Sequence, residues 1–297
     1  IYSERAPNEK VAFEVAFGAA TGGARSFCAM KHVGLNVAAD PLYTASYIGV
    51  NGGMVCAVAD DPGMHSSQNE QDSRHHAIAS KTPMLEPSDS AECSRFASLA
   101  YELSERFNTP MLLRLSTRVS HARSLVPLSD RNEVGVKEYK KDVMKNVMMP
   151  AMARGAHVRV EQRLLDMTKF ADTEAVEMGI NSVEYIDTKG GIIAAGTSYV
   201  YAHEAMGENA SYLKLGMVNP LPVELIKEFA GKVDEVIVIE ELDDIIETHC
   251  IKLGVKVKGK ELFSKLGEFS QATISAVLKN DTVDCETFDE EIPPRPP

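Results

Sequence analysis

Cysteine is sparse in this sequence and never paired at short spacing. Five cysteines stand at 28, 56, 93, 250 and 285 in 297 residues, and no C-x-x-C occurs. A zinc ribbon or an iron–sulfur cradle is thereby excluded within this stretch. The scattered, odd count with apolar neighbours points to buried thiols in a reducing compartment, so the cytoplasm is the expected location. Positive charge is also scarce: Lys and Arg total 31 against 43 Asp and Glu, a net charge of −12. The basic groupings at Lys140-Lys141 and from Lys252 to Lys260 are interleaved with apolar or acidic residues, so neither nucleic acid nor an anionic membrane is an expected partner. No run of about 18 apolar residues could span a bilayer. The opening IYSERAPNEK lacks the basic-then-apolar layout of a signal peptide. There is no internal repeat, and no His, Cys or carboxylate grouping has metal-ligand spacing, so no metal site is expected. The chain starts without Met, and a processed chain or a piece of a longer one is expected.

What is present is ordinary globular chemistry, 44% hydrophobic and 25% charged, long enough for one large domain or two of medium size. The first 120 residues alternate apolar runs with helical patterns. VAFEVAFGAA at 11–20 reads as a buried helix stopped by the glycines of TGGAR, a segment too short for a dinucleotide fingerprint or a P-loop. SFCAMK at 26–31 is a short strand, HVGLN at 32–36 reads as a turn, and AADPLYTASYIGV continues with helical spacing. GMVCAVA at 53–59 is a strand covered on both faces. A short strand in TPMLEPSD leads to a helix capped by Ser88 or Asp89, and PMLLRLS at 110–116 follows as another strand. Strand, helix, strand in this order argues for a doubly wound parallel α/β sheet. Residues from about 118 to 184 lose the rhythm and read as a helical connector. It returns with an apolar strand, a helix capped by Thr197 or Ser198, a strand YLKLGMV at 212–218, the helix VELIKEFAGK, a strand at 234–242 and the helix DDIIETHCIKLG. The expected division is therefore 1–120, a connector 121–184, a second doubly wound domain 185–290, and a Pro-rich linker 291–297.

The densest polar cluster runs from Asp60 to Asp72, directly after a strand expected to be central. Ligands of open α/β sheets sit at the carboxyl ends of such strands, so this loop is a candidate binding loop, although solvated loops are polar in any case. His32 and Asn36 follow another expected central strand at the same sheet edge. Glu9 opens an apolar helix after Asn8. By position alone it reads as a helix-start charge favoured by the helix dipole, yet a carboxylate just inside a buried helix can also serve proton chemistry. Glu240-Glu241 at a strand end reads as a cap.

The runs NEKVAFEVAFGAATGGARSFCAMKHVGLNVAADPL, DDPGMHSSQNEQDSR, TPMLEPSDSAE and LRLSTRVSHAR, with the later VNPLP and VIVIEEL, resemble the alpha subunits of indolepyruvate ferredoxin oxidoreductases. These belong to the thiamine-diphosphate-dependent 2-oxoacid:acceptor oxidoreductases. The resemblance implies a pyrimidine-binding domain followed by a transketolase C-terminal-like domain. It further implies that Glu9 is the glutamate that hydrogen-bonds N1′ of the aminopyrimidine and promotes ylide formation. His32, Gly34 and Asn36 would lie beside that ring, while His65, Gln68 and Asn69 would grip the 2-oxoacid carboxylate and keto oxygen. The implied reaction is oxidative decarboxylation of an arylpyruvate, with coenzyme A taking the acyl group and electrons passing through 4Fe-4S clusters to ferredoxin. A beta subunit is the expected partner in a hetero-oligomer. The extreme N-terminus and the domains that would hold the diphosphate, Mg2+ and the clusters are expected outside this sequence, leaving this stretch inactive alone. Pyruvate, branched-chain or 2-oxoglutarate substrates are alternatives, as is a non-catalytic assembly module.

Overall fold

Continuous apolar strands between amphipathic helices dictate sheets covered on both faces, and two such sheets form. A computed structural model describes residues 2–128, 130 and 133–281; the Pro-rich 291–297 and Cys285 lie outside the described residues. The first unit runs α1 (Glu9–Thr21), β1 (Ser26–Lys31), α2 (His32–Ile48), β2 (Met54–Asp60), α3 (Arg74–Ser80), β3 (Met84–Leu85), α4 (Ser90–Phe107), β4 (Met111–Ser116) and α5 (Thr117–His121). Then come α6 (Val143–Asn146), α7 (Pro150–Asp172), α8 (Glu174–Glu177) and β5 (Ser182–Glu184). The second unit continues with β6 (Gly190–Ala195), α9 (Gly196–Met206), β7 (Ser211–Leu215), β8 (Met217–Asn219), α10 (Glu224–Ala230), β9 (Glu235–Ile239), α11 (Ile245–Lys252) and α12 (Gln271–Lys279).

Helix boundaries follow local chemistry. Asn8 caps α1 through Val11 N–H at 3.0 Å, and Asp89 caps α4 through Glu92 N–H at 2.8 Å, each satisfying a donor that the helix itself leaves free. At the other end of α1, Gly22 N–H donates to Gly18 O at 2.9 Å and Gly23 N–H to Ala20 O at 3.1 Å. Two expectations change. The 32–36 segment is no turn: Lys31 is extended and His32 is already helical, so strand passes into helix without a loop. Helix α9 likewise starts at Gly196, with φ +53, and no Thr197 or Ser198 side chain caps it; both are buried in its first turn.

The first sheet has the order β1-β2-β4-β3-β8 and the second β5-β7-β6-β9. Both are doubly wound α/β sheets, each with an antiparallel strand at one edge, β8 on β3 and β5 on β7. On one face of the first sheet Met54, Cys56, Val58 and Leu112 pack on α1 and α2. On the other, Val55, Met111 and Leu113 pack on α4, α7 and α8. In the second sheet Ile193, Leu213 and Val238 meet α10 and α11, while Ile192, Ala194 and Tyr212 meet α9 and α12. Helix α7 ties α2 to α4, because Arg163 donates to Ser46 O at 2.7 Å and Asn108 O at 3.0 Å. The described thiols are free, and burial raises Cys93 to about 11 and Cys250 to about 12. No helix among the described residues is long and apolar enough to cross a membrane.

The apolar run at 212–218, expected as one strand, serves two sheets. It breaks at Gly216, after which Met217–Asn219 crosses to the first sheet. Fully buried Asn181 directs the break, accepting from Gly216 N–H at 2.9 Å and Met217 N–H at 3.0 Å while donating to Ala171 O. A Cβ on Gly216 would stand 2.1 Å from Ile180 O, which is backbone and cannot yield cheaply. Gly216→Ala is expected to lower stability by about 2 to 3 kcal/mol in urea unfolding. Gly190→Ala, where a Cβ meets open space, is expected to change it by less than about 0.5 kcal/mol; equal effects of the two would show that the crossover does not depend on this glycine.

Candidate functional site

The carboxyl edge of the first sheet gathers the polar segments. Helix α1 runs back from that edge to feed β1, so its N-terminus and Glu9 lie where β1, β2 and β4 end. Glu9 is half-buried and lies against the first turn of α2: a Cβ on Gly34 would stand 2.5 Å from Glu9 Cγ and 2.9 Å from Oε1. Only glycine at position 34 admits the carboxylate there. Among the described residues no protein group is hydrogen-bonded to that carboxylate, so it remains open to a donor from a bound molecule.

His32 is 1% exposed. Its Nδ1 stands 3.3 Å from Ala59 O and its Nε2 3.2 Å from Asn69 O, so both ring nitrogens are engaged inside the protein. Asn36 is exposed and its Oδ1 is 3.0 Å from His76 Nε2 on α3. His65 is half-exposed, with Nε2 3.3 Å from Glu268, which also pairs with Arg118. Gln68 and Asn69 are exposed on the same loop, and Asn69 Oδ1 accepts from Gln71 at 3.0 Å. The structure therefore joins Glu9, Gly34, His32 and Asn69 around the start of α2. Asn36 and His65 are turned to other partners.

Asp61 orders the loop. Its carboxylate accepts from His65 N–H (3.2 Å), Ser66 N–H (2.8 Å), Ser67 Oγ (2.7 Å) and Thr117 Oγ1 (2.7 Å). Burial alone would raise this carboxyl, but the four hydrogen bonds outweigh it and hold it at about 2. The loop's carbonyls go the opposite way, to cationic or ring donors: Lys31 Nζ donates to Ser66 O, and His32 faces Asn69 O.

Behind the loop lies a buried charge ladder. Arg114, an arginine inside the apolar β4, donates to Asp60 at 2.7 Å and forms an ion pair with Glu86 at 2.7 Å. Arg74, 1% exposed, grips Asp72 at 2.6 Å and Glu240 at 2.5 Å, and donates to the carbonyls of Glu241 and Asp243. Glu240 in turn accepts from Ile246 and Glu247 N–H and so caps α11; it is the keystone of a ladder and more than the cap expected for it. Burial pushes Asp60 above its ordinary value, with Arg114 opposing and Asp72 adding to the rise. Burial would raise Asp72 too, but Arg74 and Arg114 hold it well below the usual carboxylate range. Asp61 lies in the expected binding loop but had no role of its own there, and Thr117, Lys31, Arg74 and Arg114 are not among the expected site residues. The one local signal was Arg114 itself, since a charge in a strand covered on both faces must be paired.

Residues 2–189 match the family model described as pyruvate flavodoxin/ferredoxin oxidoreductase, thiamine diphosphate binding. The chain is 43% identical over 265 residues to a protein of Archaeoglobus fulgidus named indolepyruvate oxidoreductase subunit IorA, covering 87% of this chain and 42% of that one. A protein of the same name from Methanothermobacter thermautotrophicus is 39% identical, covering all of this chain and 50% of its own length. The chain thus spans about half the length of the curated relatives it matches. Among solved structures, 2-oxoglutarate:ferredoxin oxidoreductase from Magnetococcus marinus shares the fold with a TM-score of 0.72 at 15% identity, over 93% of this chain and 56% of that one. A split-gene transketolase, described as an inactive beta4 tetramer, gives 0.53 at 16% identity, over 92% and 80%.

Two outcomes are expected from this geometry. Asp61 has a depressed value when folded, so its contribution is present above 3.8 and is lost as pH falls toward about 2. The Ser66 amide resonance should shift across that window in the wild type and lie near the acid position at neutral pH in Asp61→Asn; a Ser66 amide indifferent to both would refute the role. Arg74→Met removes the nearest buried counter-ion of both Asp72 and Glu240 and is expected to cost about 3 to 5 kcal/mol in denaturant unfolding. A cost below about 1 kcal/mol would mean that the ladder does not hold the units together.

Proposed function

The chain belongs to the pyruvate flavodoxin/ferredoxin oxidoreductase family, in its thiamine-diphosphate-binding part, and from that membership we propose that it forms the pyrimidine side of the active site of a 2-oxoacid:ferredoxin oxidoreductase. In this reading residues 1–120 are the pyrimidine-binding domain, 121–184 the connector and 185–290 its transketolase C-terminal-like companion. The names of the relatives support indolepyruvate as the substrate. The whole enzyme would convert an arylpyruvate and coenzyme A to acyl-CoA and carbon dioxide, releasing one proton and passing two electrons singly to ferredoxin through 4Fe-4S clusters. Since the relatives are about twice as long, the groups that hold the diphosphate, Mg2+ and the clusters are assigned to the remainder and to a beta subunit.

The observation that carries this reading is Glu9: an open, half-buried carboxylate at a helix start, seated against a glycine that has no side chain to displace it. Thiamine diphosphate, when bound, supplies a carbon nucleophile for the 2-keto carbon and a sink for the electron pair left when carbon dioxide departs. The chain's own residues do the rest. Glu9 accepts a hydrogen bond from the aminopyrimidine ring and so biases where its proton resides. Gly34 keeps the ring's approach clear. Gln68 and Asn69, exposed on a loop ordered by Asp61, offer amide donors to the substrate carboxylate and keto oxygen, with His65 at the loop's start.

In the full-length subunit purified with its partner, Glu9→Gln is expected to retain thiamine diphosphate binding by titration calorimetry. Exchange of the cofactor's C2 proton and indolepyruvate-dependent ferredoxin reduction should both fall by about 10² to 10⁴-fold. Undiminished exchange in Glu9→Gln would remove Glu9 from catalysis and, with it, the basis of the proposal.

A further inference from the structure

The second unit reaches the candidate substrate loop through the side chain of Glu268, which stands between Gly267 and Phe269 in the segment ahead of α12. Its backbone is held on both sides. Gly267 turns the chain with φ +80. Phe269 is buried, its ring centroid 5.7 Å from that of Phe263 and its N–H donating to Glu241 Oε1 at 2.7 Å. A carboxylate mounted on so fixed a backbone can set the position of what it binds. Arg118 Nε donates to Glu268 Oε2 at 2.6 Å and Arg118 Nη2 to Oε1, a two-point pair that fixes the plane of the carboxylate. His65 Nε2 stands 3.3 Å from the same Oε2.

Glu268 is the one polar partner of the His65 ring among the described residues. A carboxylate only accepts, so Nε2 carries the N–H whatever the charge of the ring. Gly63 belongs to the same contact: a Cβ there would stand 3.2 Å from His65 Nε2 and 3.6 Å from Glu268 N, so a side chain would crowd the ring away from the carboxylate. The His65 backbone is held from within the first unit, since Asp61 accepts from its N–H and from that of Ser66. Its side chain is held from the second. At the other end of the loop Asn69 and Ser66 carbonyls meet His32 and Lys31, where β1 ends. Arg118 follows β4, and β2 lies between those two strands.

We propose that Glu268 is a positioning residue for the 2-oxoacid, supplied by the second unit: paired to Arg118, it fixes the His65 ring and with it the β4 end of the substrate loop. This rests on the reading of the 65–72 loop as substrate-binding. The loop spans the carboxyl ends of three strands and is secured at both extremes, by Lys31 and His32 beside β1 and by Glu268 beside β4. Without Glu268 the β4 end is left to Asp61 alone, and the His65 ring loses its partner. Substrate is then held less tightly, while the chemistry on substrate once bound, which centres on Glu9 and the cofactor, is little changed. The second unit thereby contributes directly to the site of the first.

The test uses the full-length subunit with its partner. Glu268→Ala is expected to raise the KM for indolepyruvate by about tenfold while kcat stays within about twofold, with the Kd for thiamine diphosphate unchanged. Because Glu268 acts through His65, adding Glu268→Ala to His65→Ala should raise KM no further than His65→Ala alone. In hydrogen exchange the amides of 63–67 should exchange about tenfold faster in Glu268→Ala while those of α12 keep their wild-type rates, a readout that needs no substrate. Glu268→Gln, which keeps the bulk of the side chain and loses its charge, should shift KM and exchange in the same direction and serves if Glu268→Ala does not fold. Unchanged KM, effects of the two substitutions that simply add, or 63–67 amides at wild-type rates overturn the proposal. Equal acceleration in α12 also overturns it, since the loss would then be of local structure. A wild-type enzyme that turns over no 2-oxoacid would fail the functional reading instead, while the exchange rates still decide whether Glu268 holds the loop.

Discussion

Arg74 joins the two halves of the molecule, and the rest of the arrangement follows from its burial. A guanidinium in an apolar interior must be matched on nearly every donor, or it costs several kcal/mol. Arg74 is matched by Asp72 from its own loop and by Glu240 and the carbonyls of 241 and 243 from the second unit. Glu240 also caps α11. Undocking the second sheet would therefore strip a buried cation of one carboxylate and two carbonyls together. The ladder continues through Asp72 and Asp60 to Arg114 and Glu86, so the ends of β2, β3 and β4 sit in one connected electrostatic assembly. Loops anchored to that assembly inherit its rigidity.

The polar loop after β2 is anchored to that assembly at both ends, through Asp60 and Asp72. Much of the loop's holding is done by its backbone, with the side chains of Ser67 and Glu70 joining in. Its amides converge on Asp61 and its carbonyls on Lys31 and His32. Gln68 and Asn69 are left facing outward. Glu9 reaches the same neighbourhood by a different route, through the antiparallel return of α1 and the missing side chain of Gly34. The site is thus assembled from a helix start, a strand–helix junction and a loop that share one sheet edge, the position at which open α/β sheets bind ligands.

Several features were legible locally. The strands at 54–60 and 111–116 announced themselves as apolar runs, and α1 and α4 carried Asn8 and Asp89 as caps with glycine or asparagine at their ends. Other features were not. The 212–218 run is uniformly apolar and gives no hint that Gly216 sends its two ends to different sheets; that outcome depends on Ile180 and Asn181, some 35 residues earlier. His32 to Asn36 was read as a turn because glycine and asparagine favour turns, but packing of Gly34 against Glu9 makes the same residues a helical first turn. Tertiary contact overrode a weak propensity there.

By itself, the order of apolar runs and caps determined the α/β class, the place of most elements, and which segments would sit at a strand's carboxyl end, because those signals act over three to eight residues and are written in consecutive side chains. The motifs 8–10, 32–36 and 60–72 likewise marked the residues worth watching. Only the tertiary structure decided which of them meet. Arg74 finds Glu240 across 166 residues, Asp61 finds Thr117 across 56, and the two nitrogens of His32 find carbonyls 27 and 37 residues away. Such pairings are selected by the need to leave no buried charge or backbone group unmatched once the sheets have packed. That need applies to the folded interior as a whole, and no local stretch of sequence expresses it.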